Sequence, residues 1–387
     1  MYSAEKRPVY LIDTTLRDGA QAADIAFSSE DKLRIADLLY NSGIRFFEAG
    51  IPVMGDTEQN VISTLTNRYD IAHFIGWCRA KLVDLDAAQR CNCKSVHISF
   101  PVSINHIKIL GYTENEILDQ VSFFCDYASK YFNSFSIGAQ DASRASYSFL
   151  HEFVKRGVAA NVSRIRIADT VGILTPIETF RLFTKLKSNV PQCNLEIHAH
   201  NDLGMATANT VTALQAGADA ASITVNGIGE RAGNAALEEV VMALQLSNTL
   251  HCDFDTSAIN TICKTVADLS GMEIGKQKPI TGSSIFKHQS GIHCHALLRS
   301  KSAYEPYDPS LSGHTPSRFV CGTHSGRAGI LSMLESCGIV MSTSEFDTFF
   351  KTLQYHISRT GKSMTANEVC EFYYAPKITN QMSPEQI

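Results

Sequence analysis

Two histidines in the sequence have a spacing typical of metal ligands. His198 and His200 close the strand-like run Leu195–His200. Successive residues of a strand point to opposite faces, so residues two apart point to the same face. Two imidazole nitrogens and a carboxylate oxygen, for which Asp18 is the candidate, suit a divalent cation such as Mg²⁺, Mn²⁺ or Zn²⁺. The alternative, a pair of structural histidines, is disfavoured by the polar residues described next.

Polar residues also end several other strand-like runs. They are Arg17 and Asp18, Glu48, Arg79, Gln140 and Asp141, Thr170, and Asn234. Residues that end neighbouring parallel strands meet at one mouth, where (β/α)₈ barrels build their active sites. We therefore predict a site at that mouth, and Asp202 is a candidate to orient one histidine ligand.

The elements that must position these residues alternate along the chain. The strand-like runs, which start about every 30 residues, are Val9–Leu16, Ile44–Gly50, Ile71–Arg79, Ser95–Ser103, Ser134–Gln140, Arg164–Thr170, Leu195–His200 and Ala221–Asn226. Eight strands separated by helices predict a closed (β/α)₈ TIM barrel, with a doubly wound open sheet as the alternative. We place the barrel at residues 1–275 and a smaller appended region at 276–387.

Helix signals lie between and after the strands. Ser28, Thr113 and Thr175 each stand where a helix N-cap is expected, and Pro176 and Glu178 strengthen the third signal. Beyond the barrel strands, the patterns predict three helices, at Ile259–Met272, Arg327–Cys337 and Ser344–His356. The stretch Lys276–Ser325 is rich in Gly, Pro, Ser and His and has no clear period.

Composition excludes several classes of protein. The 387 residues include 34 Lys and Arg and 39 Asp and Glu, which gives a net charge of −5. Without a basic stripe, nucleic-acid binding is not expected. The chain has neither a signal-peptide pattern nor an apolar stretch of membrane-spanning length, so we expect a cytoplasmic protein. We expect its 11 cysteines to be reduced thiols, with Cys91 and Cys93 in a structural role.

Several motifs together resemble the metal-dependent acyl-CoA Claisen condensation family, which includes isopropylmalate, citramalate and homocitrate synthases. These motifs are LIDTTLRDGAQ, IADTVG, EIHAHNDLGMATANT and NGIGERAGNAALEE, with SGIHCHALL, SAYEPYDPSL and CGTHSGRAGI in the tail. The segments GWCRA and DASRAS, and the short chain, are most similar to the homocitrate synthases associated with nitrogenase cofactor assembly. The resemblance implies condensation of acetyl-CoA with 2-oxoglutarate, followed by thioester hydrolysis that releases CoA.

The resemblance also implies roles for residues. A divalent metal held by Asp18, His198, His200 and Asn234 would chelate the 2-oxo acid, and Arg17 would stabilise the developing alkoxide. Thr170 would contact the substrate carboxylate. His293 and Tyr304 from the partner subunit of a homodimer would assist deprotonation of acetyl-CoA. The remaining candidates for substrate binding are Gln21, Glu48, Arg79 and Arg144.

Two positions depart from the family pattern. Ala20 and Gln140 stand where relatives carry glutamate, and glutamine can neither accept a proton nor hold a negative charge. The alternatives therefore include a homocitrate synthase of altered efficiency, a synthase for another 2-oxo acid (phosphonopyruvate, oxaloacetate, pyruvate or 2-oxoisovalerate) and a degenerate enzyme. A metal-dependent lyase or aldolase is disfavoured because Gly227–Asn234 has no cysteine. A non-catalytic metal- or CoA-binding barrel is a further alternative.

Overall fold

A computed structural model describes residues 6–375. The chain divides into two compact units, Met1–Thr281 and Gly282–Ile387. This division falls slightly later in the chain than the boundary that we expected after residue 275. Each unit is described separately below.

The first unit contains a closed barrel of eight parallel strands, counted over the described residues. In chain order the strands are Tyr10–Asp13, Phe46–Gly50, His73–Arg79, Ser95–Pro101, Ser134–Gln140, Ile165–Asp169, Leu195–Ala199 and Ala220–Ile223; below they are called barrel strands one to eight. Each pairs with the next, and strand one closes the circle by pairing with strand eight, where Tyr10 lies opposite Ala220. The predicted (β/α)₈ barrel is confirmed and the open sheet is wrong.

Helices surround the barrel. They are Ser29–Asn41, Asp56–Arg68, Leu82–Arg90, Ile104–Ile109, Glu114–Tyr131, Tyr147–Ala159, Pro176–Asn189, Ala206–Gln215, Leu237–Gln245 and Ile259–Ser270. Short 3₁₀ turns cover Gly19–Gln21, Pro52–Met54, Ala142–Arg144, Val225–Gly227 and Thr256–Ala258, and an outer strand pair joins Arg7–Pro8 to Leu250–His251. The three predicted N-caps, Ser28, Thr113 and Thr175, all form capping boxes, in which the side chain of the third helical residue bonds back to the cap.

Barrel and helices share an apolar layer of outward-pointing strand residues. Phe47 and Phe100 on the strands are fully buried, and the ring of Phe100 packs against those of Phe124 and Phe153 on the helices. Because alternate strand residues point the other way, the same strands send a second set of side chains into the barrel interior. That inward set carries the charged residues of the site.

The second unit combines helices with a small sheet. Its helices are Gly291–Leu297, Arg327–Ser336, Thr343–Thr360 and Ala366–Tyr374; its strands are Lys287–His288, Arg318–Cys321 and Met364–Thr365; and its 3₁₀ turns are Lys301–Ala303 and Pro309–Ser312. A core that includes Ile330, Leu334, Phe346, Leu353 and Val369 holds it together. The final helix was not predicted from the sequence.

One expectation about the cysteines is wrong. Cys337 and Cys370 form a disulfide bond, whereas we expected all 11 cysteines to be reduced. The end of helix Arg327–Ser336 and the unpredicted final helix bring the two sulfurs together, which sequence spacing alone did not reveal. Cys91 and Cys93 are buried free thiols with sulfur atoms 3.6 Å apart. No helix between residues 6 and 375 is both long enough and apolar enough to cross a membrane.

Candidate active site

Asp18, His198 and His200 converge at the C-terminal mouth of the barrel. Each offers one ligand atom, and these atoms lie within 4.8 Å of one another. The two Nε2 atoms are 3.2 Å apart, and Oδ2 of Asp18 lies 3.5 Å from Nε2 of His198 and 3.8 Å from that of His200. Within the described chain this is the one cluster of three or more His, Cys, Asp or Glu side chains with ligand atoms so close.

The donor set fits a divalent cation. Oδ2 of Asp18 and Oδ1 of Asn234 are buried and lack a hydrogen-bond partner within the described structure. Buried polar groups are normally satisfied, so unpartnered oxygens beside two imidazoles indicate a missing partner. Carboxylate, amide and imidazole together are ligands of Mg²⁺, Mn²⁺ or Zn²⁺, and the geometry does not select one.

Burial sets the charge states in this cluster. Burial lowers the pKa of His198 to about 3 and also lowers that of His200, so both rings are neutral and able to ligate at neutral pH. Burial by itself raises the pKa of Asp18, but the neighbouring Arg17 and the two histidines outweigh it and hold the pKa at about 2. The site therefore presents one carboxylate and two neutral imidazoles.

Backbone contacts position Asn234 beside the histidines. His200 and Asn234 form an isolated antiparallel bridge, and the N–H of Asn201 donates to the carbonyl of Gly233 at 2.9 Å. Gly233 has φ +86°, and a Cβ there would lie 1.9 Å from the carbonyl oxygen of Gly227. The loop after barrel strand eight can therefore fold against the histidine strand only with glycine at this position.

Arg17 is fixed beside Asp18, His198 and His200 by ion pairs. Its Nη1 donates to Oδ1 of Asp18 at 2.7 Å, and its Nε donates to Oε2 of Glu48 at 2.7 Å. The guanidinium also lies over the ring of Trp77, 5.6 Å from the centroid. Gln21 is exposed and its Oε1 is 3.5 Å from Nη1, a long contact. Ala20, next to Gln21, adds no acidic group to this corner of the mouth.

A line of alternating charges continues from Arg17 into the barrel. Oε1 of Glu48 lies 2.6 Å from Nη2 of Arg166, and Nε of Arg166 lies 2.6 Å from Oε1 of Glu196. Glu196 also pairs with Arg164. Burial raises the pKa of Glu48 and of Glu196, but the arginines reverse this effect, so the pKa of Glu48 is well below its usual value and that of Glu196 is about 2.

Thr170 connects three loops at the mouth. Its Oγ1 accepts a hydrogen bond from the N–H of Asp141 at 2.8 Å, and its carbonyl accepts one from Nη2 of Arg231 at 2.7 Å. Asp202, which we expected to orient a histidine, instead pairs with Arg231 through both carboxylate oxygens. Gln140, partly buried, ends barrel strand five just before Asp141.

The two arginines predicted to bind the substrate are each held by a nearby aspartate. Arg79 donates from Nε and Nη2 to Asp84 at 2.9 Å, and Asp84 is buried. Arg144 donates from Nε at 2.9 Å and from Nη2 at 2.7 Å to the buried Asp141, whose Oδ2 also lies 3.6 Å from His106. Both guanidinium groups are therefore held in place by buried carboxylates.

His293 and Tyr304 lie together in the second unit. Their rings stack with centroids 3.9 Å apart, and Tyr304 is exposed. The structure thus brings these two predicted residues to each other.

Two inward charges, Arg166 and Glu196, are not among the residues predicted for the site. Each lies on a strand face that is identifiable in retrospect: Glu196 is two residues before His198, and Arg166 is two residues after Arg164. Charged residues at alternate positions of an apolar strand were the signal for an internal polar layer.

Comparisons with known proteins agree with this geometry. The HMGL-like family matches residues 8–266, and the homocitrate synthase post-HMGL domain-like family matches residues 280–360. Over 366 residues the chain is 39% identical to a homocitrate synthase of Frankia sp. (strain FaC1), covering 93% of this chain and 89% of that protein. It is also 39% identical, over 340 residues and 88% of each chain, to 2-isopropylmalate synthase 2 of Caldanaerobacter subterraneus subsp. tengcongensis.

The fold also matches solved structures. Hydroxymethylglutaryl-CoA lyase from Pseudomonas aeruginosa superposes with a TM-score of 0.63 at 19% identity, over 69% of this chain and 95% of that one. At this level of identity the match shows a common fold and nothing about the reaction.

Proposed function

The chain belongs to the HMGL-like family, and on that premise we propose that it condenses the acetyl group of acetyl-CoA with a 2-oxo acid and then releases free CoA. The convergence of Asp18, His198, His200 and Asn234 beside Arg17 carries this proposal. These four residues would hold a divalent cation, which when bound supplies Lewis acidity to a chelated 2-oxo acid.

Arg17 would stabilise the oxygen that becomes an alkoxide. Glu48 and Asp18 hold its guanidinium from two sides, so little reorganisation is needed when charge develops. The site is buried, and burial strengthens such an electrostatic contact. Arg17 is therefore a candidate catalytic residue, with Glu48 as its support.

Thr170 would donate a hydrogen bond to the substrate carboxylate. Its Oγ1 already accepts from the N–H of Asp141, which leaves the hydroxyl proton available to donate. Arg79 and Arg144, fixed by Asp84 and Asp141, would offer Nη1 to a distal anionic group of the acceptor. A dicarboxylic acceptor such as 2-oxoglutarate fits this arrangement, with the other 2-oxo acids as alternatives.

A thiol-release screen tests the reaction. Purified protein, Mn²⁺ and acetyl-CoA are mixed with 2-oxoglutarate, oxaloacetate, pyruvate, 2-oxoisovalerate or phosphonopyruvate, and free CoA is measured. We expect acceptor-dependent release that Asp18→Asn abolishes. No release with any acceptor would favour a non-catalytic barrel, and cleavage of a hydroxyacyl-CoA in its place would favour a lyase.

Gln140 tests the choice of acceptor. If the protein is a homocitrate synthase that tolerates glutamine, Gln140→Glu should preserve or raise kcat/KM for 2-oxoglutarate, because general acid–base support is typically worth roughly 10²–10⁴ in rate. If Gln140 accommodates a more anionic acceptor, the new charge should lower kcat/KM for that acceptor. A ratio of the two values unmoved by the substitution would show that Gln140 does not face the acceptor.

We further propose that the protein is a homodimer in which residues 276–330 of one chain complete the site of the other. His293 and Tyr304, stacked and with Tyr304 exposed, would then assist deprotonation of the acetyl methyl group. Mixing an Asp18→Asn variant with a His293→Ala variant should restore part of the activity through hybrid dimers. No recovery after verified subunit exchange would mean that each site is completed within one chain.

A further inference from the structure

A cavity lies at the end of the barrel opposite Asp18, His198 and His200. Its volume is about 370 Å³, within the usual range of small-molecule sites. The residues that line it precede the barrel strands or lie within their first three residues, whereas Asp18, His198 and His200 lie near or beyond the strand ends. Tyr10, His73, Ser163 and Asn194 on its lining are exposed, so the cavity is reached from solvent.

The lining has an apolar side and a polar side. Tyr10, Ile12 and Phe46 form part of the apolar side, and the ring of Phe46 stacks on that of His73 at 4.9 Å. Four serines also line the cavity: Ser95, Ser134, Ser136 and Ser163. An amphipathic lining of this kind suits a ligand with an apolar body and one polar group.

Arg164 gives the polar side a cation, and the acid in the same lining, Asp219, pairs with Lys187. Arg164 lines the cavity and its side chain is 12% exposed. Its Nε pairs with Glu196, but its Nη2 is buried without a hydrogen-bond partner among the described residues. A guanidinium normally places each N–H on an acceptor when buried, so a nearby anion would complete it.

Arg164 is also the lower end of the buried charge line. From it, ion pairs run through Glu196, Arg166 and Glu48 to Arg17 beside the metal cluster. Glu48 and Glu196 are fully buried, and Arg166 is 3% exposed. Charges in such a line are weakly screened. A new anion at Arg164 therefore changes the strength of each successive ion pair in the line.

We propose that this cavity binds a small carboxylate with an apolar or aromatic body, and that its occupancy is coupled to acceptor binding through the line from Arg164 to Arg17. The carboxylate pairs with Arg164 and neighbouring seryl hydroxyls, and the apolar body packs on Tyr10 and Phe46. The ligand weakens the ion pair between Arg164 and Glu196, and the ion pair between Glu196 and Arg166 then becomes stronger. This site is separate from the proposed reaction centre.

Calorimetric titration of the Mn²⁺-loaded protein with benzoate tests the site without relying on turnover. A ligand of this size in a preformed site is expected to bind with a Kd of about 1 mM or tighter. Benzyl alcohol, which keeps the ring but loses the charge, should bind at least tenfold more weakly. Tyr10→Ala, a change on the exposed rim, and Ala220→Leu, which fills the cavity, should each weaken benzoate at least tenfold. Ala159→Leu on an outer helix is the matched control and should change nothing.

The coupling is tested by reciprocity. When the protein is saturated with the 2-oxo acid identified in the screen, the Kd of benzoate should shift by some factor. Benzoate at saturation should shift the Kd of that acid by the same factor. Absence of benzoate binding, or binding that Tyr10→Ala and Ala220→Leu leave unchanged, overturns the site. Competitive displacement of benzoate by the 2-oxo acid would place it in the catalytic mouth, and independent Kd values would overturn the coupling.

Discussion

At the residue scale, burial and charge pairing fix which groups inside the barrel are ionised. Asp18 and Glu196 stay negative because arginines outweigh the cost of burial, whereas His198 stays neutral because burial dominates. Asp13 is the opposite acidic case: burial raises its pKa to about 7, although Thr15 donates to it from both N–H and hydroxyl. The protein thus buries both strongly ionised carboxylates and one that is half protonated near neutral pH.

Asp13 should make stability depend on pH in a defined direction. Its folded pKa lies above its unfolded value of 3.8, so its contribution is complete below about pH 4 and is lost as the pH rises through 7. The free energy of unfolding of the wild type, minus that of Asp13→Asn, should fall between pH 4 and 7 by up to about 4 kcal/mol. Urea denaturation at several pH values measures it, with the exposed Asp24→Asn as control. A difference that does not vary with pH would contradict the shift.

The histidine pair should control metal retention. Replacing His198 and His200 with alanine removes two of the proposed ligands, so we expect bound Mn²⁺ to fall from about one per chain to background after desalting. Elemental analysis measures the content, and His251→Ala, at an exposed histidine, should retain the metal. Equal metal content in the double variant and the wild type would remove the basis for the assignment.

The sequence was sufficient to bring Asp18, His198 and His200 together but not to find the charges below them. Strand periodicity puts His198 and His200 on one face, and the carboxyl ends of parallel strands meet, so Asp18 and Asn234 were expected nearby. Arg166 and Glu196 were missed because both faces of a barrel strand are buried, and an apolar run does not show which face is the interior. Asp202 was assigned a role by its position, but it pairs with Arg231.

At the element scale, the loop after barrel strand eight connects strand geometry to the site. Gly227, Gly229 and Gly233 all have positive φ, and the last cannot accommodate a side chain without meeting the backbone. The loop brings Asn234 against His200 in the bridge described above. The ligand set therefore depends on backbone conformation as well as on ligand identity.

Gly233→Ala should destabilise this loop more than a comparable change elsewhere. Gly204 also has positive φ (+71°), but a Cβ there meets no described atom within 4 Å. Both variants incur backbone strain, and Gly233→Ala adds a steric clash, so we expect a further loss of about 1–3 kcal/mol in the free energy of unfolding. Denaturant titration gives the stability, and Mn²⁺ titration should show weaker binding in Gly233→Ala alone. Equal losses in both variants would mean that the loop adapts to the new methyl group.

Element boundaries were predicted best where capping signals were strong. Thr113 and Thr175 precede helices as expected because each pairs with a glutamate three residues later. The final helix, Ala366–Tyr374, has the same signal in Thr365 and Glu368, but it spans only nine residues, too few for a clear period. Its omission also concealed the partner of Cys337.

At the scale of the whole molecule, the two units are stabilised in different ways. The first unit buries a large apolar layer around a closed barrel, whereas the second relies on a smaller core and on a disulfide across 33 residues. A cross-link over such a loop stabilises by about 3–4 kcal/mol in the chain-entropy account. The second unit should therefore be the part of the protein that responds to reductant.

Dithiothreitol should lower the free energy of unfolding of the second unit by about that amount. The double variant Cys337→Ala/Cys370→Ala should show the loss without reductant and no further response to it. Hydrogen exchange of the helices Arg327–Ser336 and Ala366–Tyr374 reports on this unit selectively, and Cys252→Ala serves as a control for loss of a free thiol. An equal response to dithiothreitol in wild type and double variant would show that the disulfide does not contribute.

Closure of the barrel also has a consequence during synthesis on the ribosome. Barrel strand one pairs with strand eight, and Val225 donates to Thr15 across a separation of 210 residues. At translation rates of roughly 5–20 residues per second, the nascent chain carries Tyr10–Asp13 with an unpaired edge for about 10–40 s before its partner emerges. Asp18 likewise emerges long before His198, His200 and Asn234, so a cation held by all four residues would bind only near the end of translation of the barrel. An exposed strand edge over this interval is a binding surface for chaperones that act on nascent chains.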